Sequence, residues 1–260
     1  MEEQIYLKKD KQVGELILNR PEKRNALTSA MWEAIPGLVD KAAADSDVKV
    51  LLLRGSGPDA FAAGADIAEF PEVYATKHTA RAYNELIGAA YDSVAQLAKP
   101  TIAMVQGVCF GGGCALALAC DLRYADPAAQ FCIPPARLGL VYSLQETKRL
   151  VELVGPSKAK EMLMGARVVD AEEALAIGLA TRVFSEDVFE DEVRSFAEQL
   201  CDLSQYSIRS IKTIVDLIGN GVTEDTEETH KLWLAAFDTP DYQEGRDAFL
   251  EKRKAVFTYR

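Results

Sequence analysis

Histidine is almost missing from this chain: of 260 residues only His78 and His230 are histidines. They lie far apart and form neither an HxxxH nor an HExxH pattern, which sets aside a zinc site and a Ser-His-Asp triad. Cysteine is sparse too. The five thiols, Cys109, Cys114, Cys120, Cys132 and Cys201, are odd in number and make no CxxC pair. They read as small buried hydrophobes in a reduced cytosol, not as a disulfide framework. Positive charge is in deficit, with 29 Lys and Arg against 40 Asp and Glu and a net charge of −11. Such a chain is a poor partner for nucleic acid, and any anionic ligand has to be met by local cations. Long apolar runs are absent, and the opening MEEQIYLKKD carries no cleavable leader. The expectation is a soluble cytoplasmic protein that does not span a membrane.

What is present alternates between strand and helix. Val13–Pro21 reads as a strand ending in a turn. Thr28 is a candidate N-cap for a helix whose spacing is interrupted by Pro36 and Gly37. Val48–Gly57 and Thr101–Gly107 are short apolar runs stopped by glycine, hence buried strands, and Thr79–Pro100 between them has helical spacing. LRYA and AQFCI read as further short strands. The alternation predicts an α/β core with crossover connections over residues 1–185. From 186 to 260 only helical spacing remains. No internal repeat and no low-complexity tract stands out.

Two small-residue segments interrupt this pattern. AFAAGADIAEF (Ala60–Phe70) follows the second strand, and small residues there let a ligand lie against main chain, with Ala65 and Asp66 presenting N–H groups. In GVCFGGGCALALAC, Gly111, Gly112 and Gly113 stand between a buried strand and a helix, whose first N–H groups lack intrahelical partners. The spacing is neither GxGxxG nor GxxxxGK[ST], so dinucleotide and P-loop readings fail. Taken alone, each segment is also compatible with tight packing. Together they suggest two backbone donors aimed at one oxygen, as in an oxyanion hole.

These segments, with LNRPEKRNAL, RVVDAEEALAIGLATRVF and EGRDAFLEKRKAVF, resemble the crotonase superfamily, the enoyl-CoA hydratase/isomerase family, over nearly the whole chain. The resemblance implies a stacked ββα superhelix with a C-terminal helical trimerisation region, homo-trimers or hexamers, and a lyase of fatty acid metabolism acting on acyl-CoA. Coenzyme A is then part of the substrate, and no separate cofactor or metal is implied. Ala65 and Gly112 would supply the oxyanion donors. Lys23, Arg24, Ala26, Ala63, Gly64, Asp66, Ile67, Gly111, Gly113 and Lys252 would line the CoA path, and Pro134, Pro135 and Leu140 the apolar wall.

The chain departs from the hydratase pattern at both acid–base positions, where it has Ala115 and Pro135 in place of glutamates. Hydration needs groups to activate water and to protonate carbon, and neither is present at these positions. Tyr142, after LGL, is similar to a tyrosine of the methylmalonyl-CoA decarboxylase branch, although that branch has histidine where this chain has Ala65. Loss of CO2 from a malonyl-type thioester needs an oxyanion hole and a dry pocket but no base. Three readings follow: a decarboxylase using Tyr142, a hydratase or isomerase with a relocated carboxylate such as Glu146, and a non-catalytic acyl-CoA-binding protein. Tyr142 and Glu146 also have structural readings, as a packed aromatic and a solvated helix charge. Asp66 and Glu69 read as structural carboxylates.

Overall fold

The computed structural model describes residues 3–259. Its strands are β1 (Ile5–Asp10), β2 (Val13–Leu18), β3 (Val50–Gly55), β4 (Ala60–Ala62), β5 (Thr101–Val105), β6 (Val108–Phe110), β7 (Leu122–Ala125), β8 (Gln130–Cys132), β9 (Val169–Asp170) and β10 (Arg182–Val183). Its helices are α1 (Ser29–Ala44), α2 (Phe70–Val73), α3 (Lys77–Ala95), α4 (Gly112–Leu118), α5 (Pro135–Leu138), α6 (Leu144–Gly165), α7 (Ala171–Ala176), α8 (Phe189–Cys201), α9 (Gln205–Gly219), α10 (Glu227–Ala235) and α11 (Pro240–Glu251). One sheet has the order β1-β2-β3-β5-β7-β10 and the other β4-β6-β8-β9. Pairing is parallel except for β1 with β2 and β8 with β9. Strands β3, β5 and β7 enter the first sheet, β4, β6 and β8 follow them into the second, and helices return the chain. This is a stack of ββα turns.

Strands β3 and β5 are apolar nearly throughout because both faces are covered. Leu51, Leu53, Ala103 and Val105 face α1, α3 and α4, packing with Trp32, Ile35, Tyr91 and Leu116. Val50, Leu52, Ile102 and Met104 face the other way, onto Phe189, Val193 and Ala197 of α8. Buried Glu15 of β2 is held there by Arg194 of α8, at 2.7 and 3.0 Å to its two carboxylate oxygens. A buried carboxylate is tolerable when paired in this two-pronged way.

The structure corrects several local expectations. Helix α1 runs through Pro36 and Gly37 without ending. Met31, Trp32, Ile35, Val39 and Ala42 keep one face in the core on both sides of the proline, and that packing outweighs its local cost. Helix α3 starts at Lys77, because Thr76 and not Thr79 is the N-cap. Strand β1, at the sheet edge, and the three-residue β4 and β6 were not legible. Helix α6 breaks at Gly155 (φ 74°, ψ 163°) before Pro156. The helical region from 186 onward lends its first helix, α8, to the core, while α9–α11 carry exposed Ile211, Val215, Ile218, Trp233 and Phe249, with Phe237 exposed between α10 and α11. Among the described residues no helix is long and apolar enough to cross a membrane.

Candidate active site

The first loop is organised by Asn25, which sits in the left-handed region (φ 54°) with its side chain fully buried. Its amide donates to the carbonyls of Ser56 and Ala60 at 3.1 and 2.7 Å, and its oxygen accepts from the Arg20 N–H at 3.0 Å. Arg20 donates to the Ala26 carbonyl at 2.7 Å and to the Asp66 carboxylate at 2.9 Å. Burial would raise the pKa of Asp66, but Arg20 and the Ala68 N–H outweigh it and hold the carboxyl below its usual range. Leu27 then ties the two segments together. Its N–H donates to the Gly64 carbonyl, and its carbonyl accepts from the Asp66 N–H, both at 2.8 Å.

That last bond corrects the sequence reading. The Asp66 amide is occupied, and the Asp66 carboxylate is paired, so of the two amides proposed only Ala65 remains to face a ligand. No hydrogen bond takes the Ala65 N–H among the described residues.

The glycine triplet divides its work. Gly111 turns the chain at φ 52°, ψ −125°, a conformation that side chains resist, and its N–H is taken by the Cys132 carbonyl at 2.8 Å. Gly113 lies so close to β4 that a Cβ there would sit 2.5 Å from the Ala62 carbonyl oxygen. It is a packing residue. Gly112 opens α4, where an N–H has no intrahelical partner. Gly64 (φ 101°) lies against it, since a Cβ on Gly64 would be 3.3 Å from the Gly112 nitrogen. The Gly112 nitrogen and the Gly64–Ala65 segment are thereby brought close together.

Behind this pair stands an aromatic group that the sequence reading did not single out. Tyr91 donates to the Gly112 carbonyl at 3.2 Å and packs edge-on against Trp32, ring centres 5.5 Å apart. Tyr74 packs likewise against Phe70 and Tyr83. The helical spacing of Trp32 on α1 and of Tyr83 and Tyr91 on α3 was visible, but spacing alone cannot separate core from pocket.

Tyr142 reaches the same place from the other side, with its hydroxyl 3.8 Å from where a Gly111 Cβ would be. Burial pushes its pKa well up, and the nearby charge of Glu146 pushes further. The hydroxyl therefore keeps its proton. Glu146 itself closes a capping box at the start of α6, accepting from the Ser143 N–H and hydroxyl at 2.9 and 2.7 Å through one oxygen. Glu69 accepts from the Ser29 N–H and hydroxyl at 2.7 and 2.6 Å. Pro135 and Ala115 are buried, Pro134 and Leu140 partly so, and Ile67 is exposed.

The cations separate. Lys23 and Arg24 are exposed beside Ala26 and Ala63, whose N–H groups bond the carbonyls of Lys23 and Arg24. Lys252 is not placed with them. Its neighbours Arg253 and Lys254 pair with Glu244 and Asp202, and residues 257–259 line a shallow cavity together with Gln12 and Lys49, which precede β2 and β3. The thiols take no part: all five are buried, and desolvation raises Cys120 to about 12. Among the described residues no cluster of three or more His, Cys, Asp or Glu could hold a metal ion.

Two stacked sheets, with the small-residue loops of two successive ββα turns lying against each other at their edge, define an α/β scaffold of ββα turns. The sequence profile of the enoyl-CoA hydratase/isomerase family matches residues 8–260. The chain belongs to that family, within the crotonase superfamily. It is 36% identical to a crotonyl-CoA hydratase of Syntrophomonas wolfei over 98% of both chains. It is 31% identical to a short-chain-enoyl-CoA hydratase of Clostridium acetobutylicum, over 96% of this chain and 95% of that one. Among solved structures, an enoyl-CoA hydratase/isomerase family protein from Hyphomonas neptunium superposes with a TM-score of 0.96 at 43% identity, covering 99% of this chain and 98% of the other.

Proposed function

We propose that the chain acts on acyl-CoA thioesters by holding the thioester oxygen between the Ala65 and Gly112 amides while an enolate forms, and that the reaction is decarboxylation of a malonyl-type acyl group. One observation carries the choice of reaction. The carboxylates nearest the amide pair are engaged, Asp66 by Arg20, Glu69 by Ser29 and Glu146 by Ser143, and Ala115 and Pro135 offer none. Decarboxylation asks for no base. The bond from the α-carbon to the carboxylate carbon breaks, its electron pair enters the enolate, and CO2 leaves. The α-carbon then takes a proton from solvent. Charge grows on the thioester oxygen, where the two amides stabilise it. Tyr142, kept protonated, donates to the leaving carboxylate or to the thioester oxygen and holds it in position, and Lys23 and Arg24 meet the CoA phosphates.

Incubation with methylmalonyl-, ethylmalonyl- and crotonyl-CoA, followed by mass spectrometry, tests the reading through loss of CO2 or gain of water. Tyr142→Phe removes a hydrogen bond worth about 1.5–3 kcal/mol; made to the thioester oxygen, where it strengthens as charge grows in the transition state, its loss should lower the saturated rate roughly ten- to hundredfold. Glu146→Gln keeps the capping box and should change little. A second reading, hydration through the remaining oxygen of Glu146, is favoured by the names of the relatives and by the Glu146 charge acting on Tyr142. It requires the reverse pattern, with Glu146→Gln inactive and Tyr142→Phe near wild type. Binding without any product would leave an acyl-CoA-binding protein.

A further inference from the structure

We propose that Tyr91 is a positioning residue for the reaction: its buried hydroxyl, bonded to the Gly112 carbonyl, fixes the backbone geometry that aims the Gly112 amide at the thioester oxygen. The proposal rests on the amides of Ala65 and Gly112 as the holders of the thioester, and it is independent of the reaction that follows.

Gly112 has little of its own to hold it. Glycine stands on both sides, and a residue without a Cβ gives up its backbone freedom only to contacts from outside. No side chain caps the turn at Gly111, and the Gly112 N–H itself has to stay free for a ligand. Constraint must therefore come through the two peptide units that flank the residue. The unit that carries the N–H is held where the Gly111 carbonyl accepts from the Ala115 N–H at 3.0 Å. The next unit is held by Tyr91, whose hydroxyl donates to the Gly112 carbonyl at 3.2 Å. Among the described residues no other side chain hydrogen-bonds the glycine triplet. Peptide units are planar, so fixing both sets the two soft dihedrals of Gly112 and with them the direction of its N–H.

Tyr91 is placed to do this and little else. It is 1% exposed, and its ring is wedged edge-on against the wholly buried Trp32, so the hydroxyl has no room to swing away. Gly112 leaves the approach open, because a Cβ there would lie 3.0 Å from the Tyr91 oxygen. Burial raises the Tyr91 pKa well above its ordinary value, and the neighbouring Tyr142 and Glu146 push the same way, so the group stays a donor. Phenylalanine would pack against Trp32 equally well. What the tyrosine adds is one hydrogen bond, directed at the carbonyl of the residue whose amide faces the ligand.

Infrared difference spectroscopy on the intact protein, with acetyl-CoA labelled with carbon-13 at the thioester carbonyl, tests the proposal. In wild type, donation from the amides should lower the carbonyl stretch relative to the free ligand. Tyr91→Phe keeps the ring and hence the fold. In it the band should broaden and return part of the way to its free position. With whichever of methylmalonyl-, ethylmalonyl- or crotonyl-CoA is turned over, kcat should fall about three- to tenfold, the worth of one neutral hydrogen bond, while KM stays within about twofold. A lowered melting temperature with band and kcat both unchanged overturns the proposal, since the hydroxyl then serves stability alone. A raised KM with kcat unchanged overturns it too. A wild-type band at the free position removes the amide pair and the role of Tyr91 together, whereas a band displaced equally in wild type and Tyr91→Phe removes the role of Tyr91 alone.

Discussion

Gly111, Gly112 and Gly113 look interchangeable in the sequence, yet each is held to glycine by a different demand. Gly111 needs its backbone angles, Gly112 has Tyr91 and Trp32 3.0–3.1 Å from a would-be Cβ, and Gly113 abuts Ala62. Gly113→Ala must push β4 and α4 apart. Overpacking of this kind costs about 1–3 kcal/mol, and should appear as a lower urea midpoint with an unchanged denaturant slope. The triplet was legible as a candidate site, because glycines between strand and helix admit either a ligand or close packing. Its internal division was not, since that depends on which neighbour approaches each Cα. For the same reason the Asp66 amide could be proposed as a donor from sequence, although Leu27, nearly forty residues earlier, occupies it.

Among the elements, local chemistry was readable wherever local chemistry decides. The N-cap Thr28, the buried runs of β3 and β5 and the helical spacing beyond residue 185 all stand as read. Strands β4 and β6 did not, because three residues carry no period and are strands only by virtue of their partners. The C-terminal segment shows another such dependence. Glu244 of α11 accepts from Arg253 and from the Val256 N–H, and these bonds lower its pKa from 4.5 to about 2. The folded value lies below the unfolded one, so the bonds contribute fully above pH 4.5 and are lost as pH falls towards 2. The protection of the amides after α11, taken relative to intrinsic exchange at the same pH, should therefore fall on acidification through that window. Glu244→Gln should produce part of the same loss of protection at neutral pH, and identical protection in variant and wild type would deny Glu244 the role of anchor.

At the scale of the whole molecule, the ββα stack repeats in space but not in letters. Its successive turns share a path and little sequence, which is why no repeat could be read while the family resemblance could. The same scale governs assembly. Ile211, Val215 and Ile218 form one exposed stripe along α9, each 60% or more accessible, with Trp233, Leu234 and Phe237 exposed on the segment that follows. We propose that this surface is covered in the trimer or hexamer that the resemblance implies. Light scattering at micromolar concentration should give a mass near three or six times the 28.4 kDa chain, and Val215→Lys should lower it; a wild-type monomer would contradict the assembly. The five thiols complete the picture in a different way. All are interior, and Cys120 is raised to about 12, so little thiolate is offered to the outside while the fold is intact. The folded protein should therefore react slowly with alkylating agents, and its thiols should become accessible as the fold opens. Its cysteines therefore act as built-in reporters of unfolding and have no part in sensing the redox state around them.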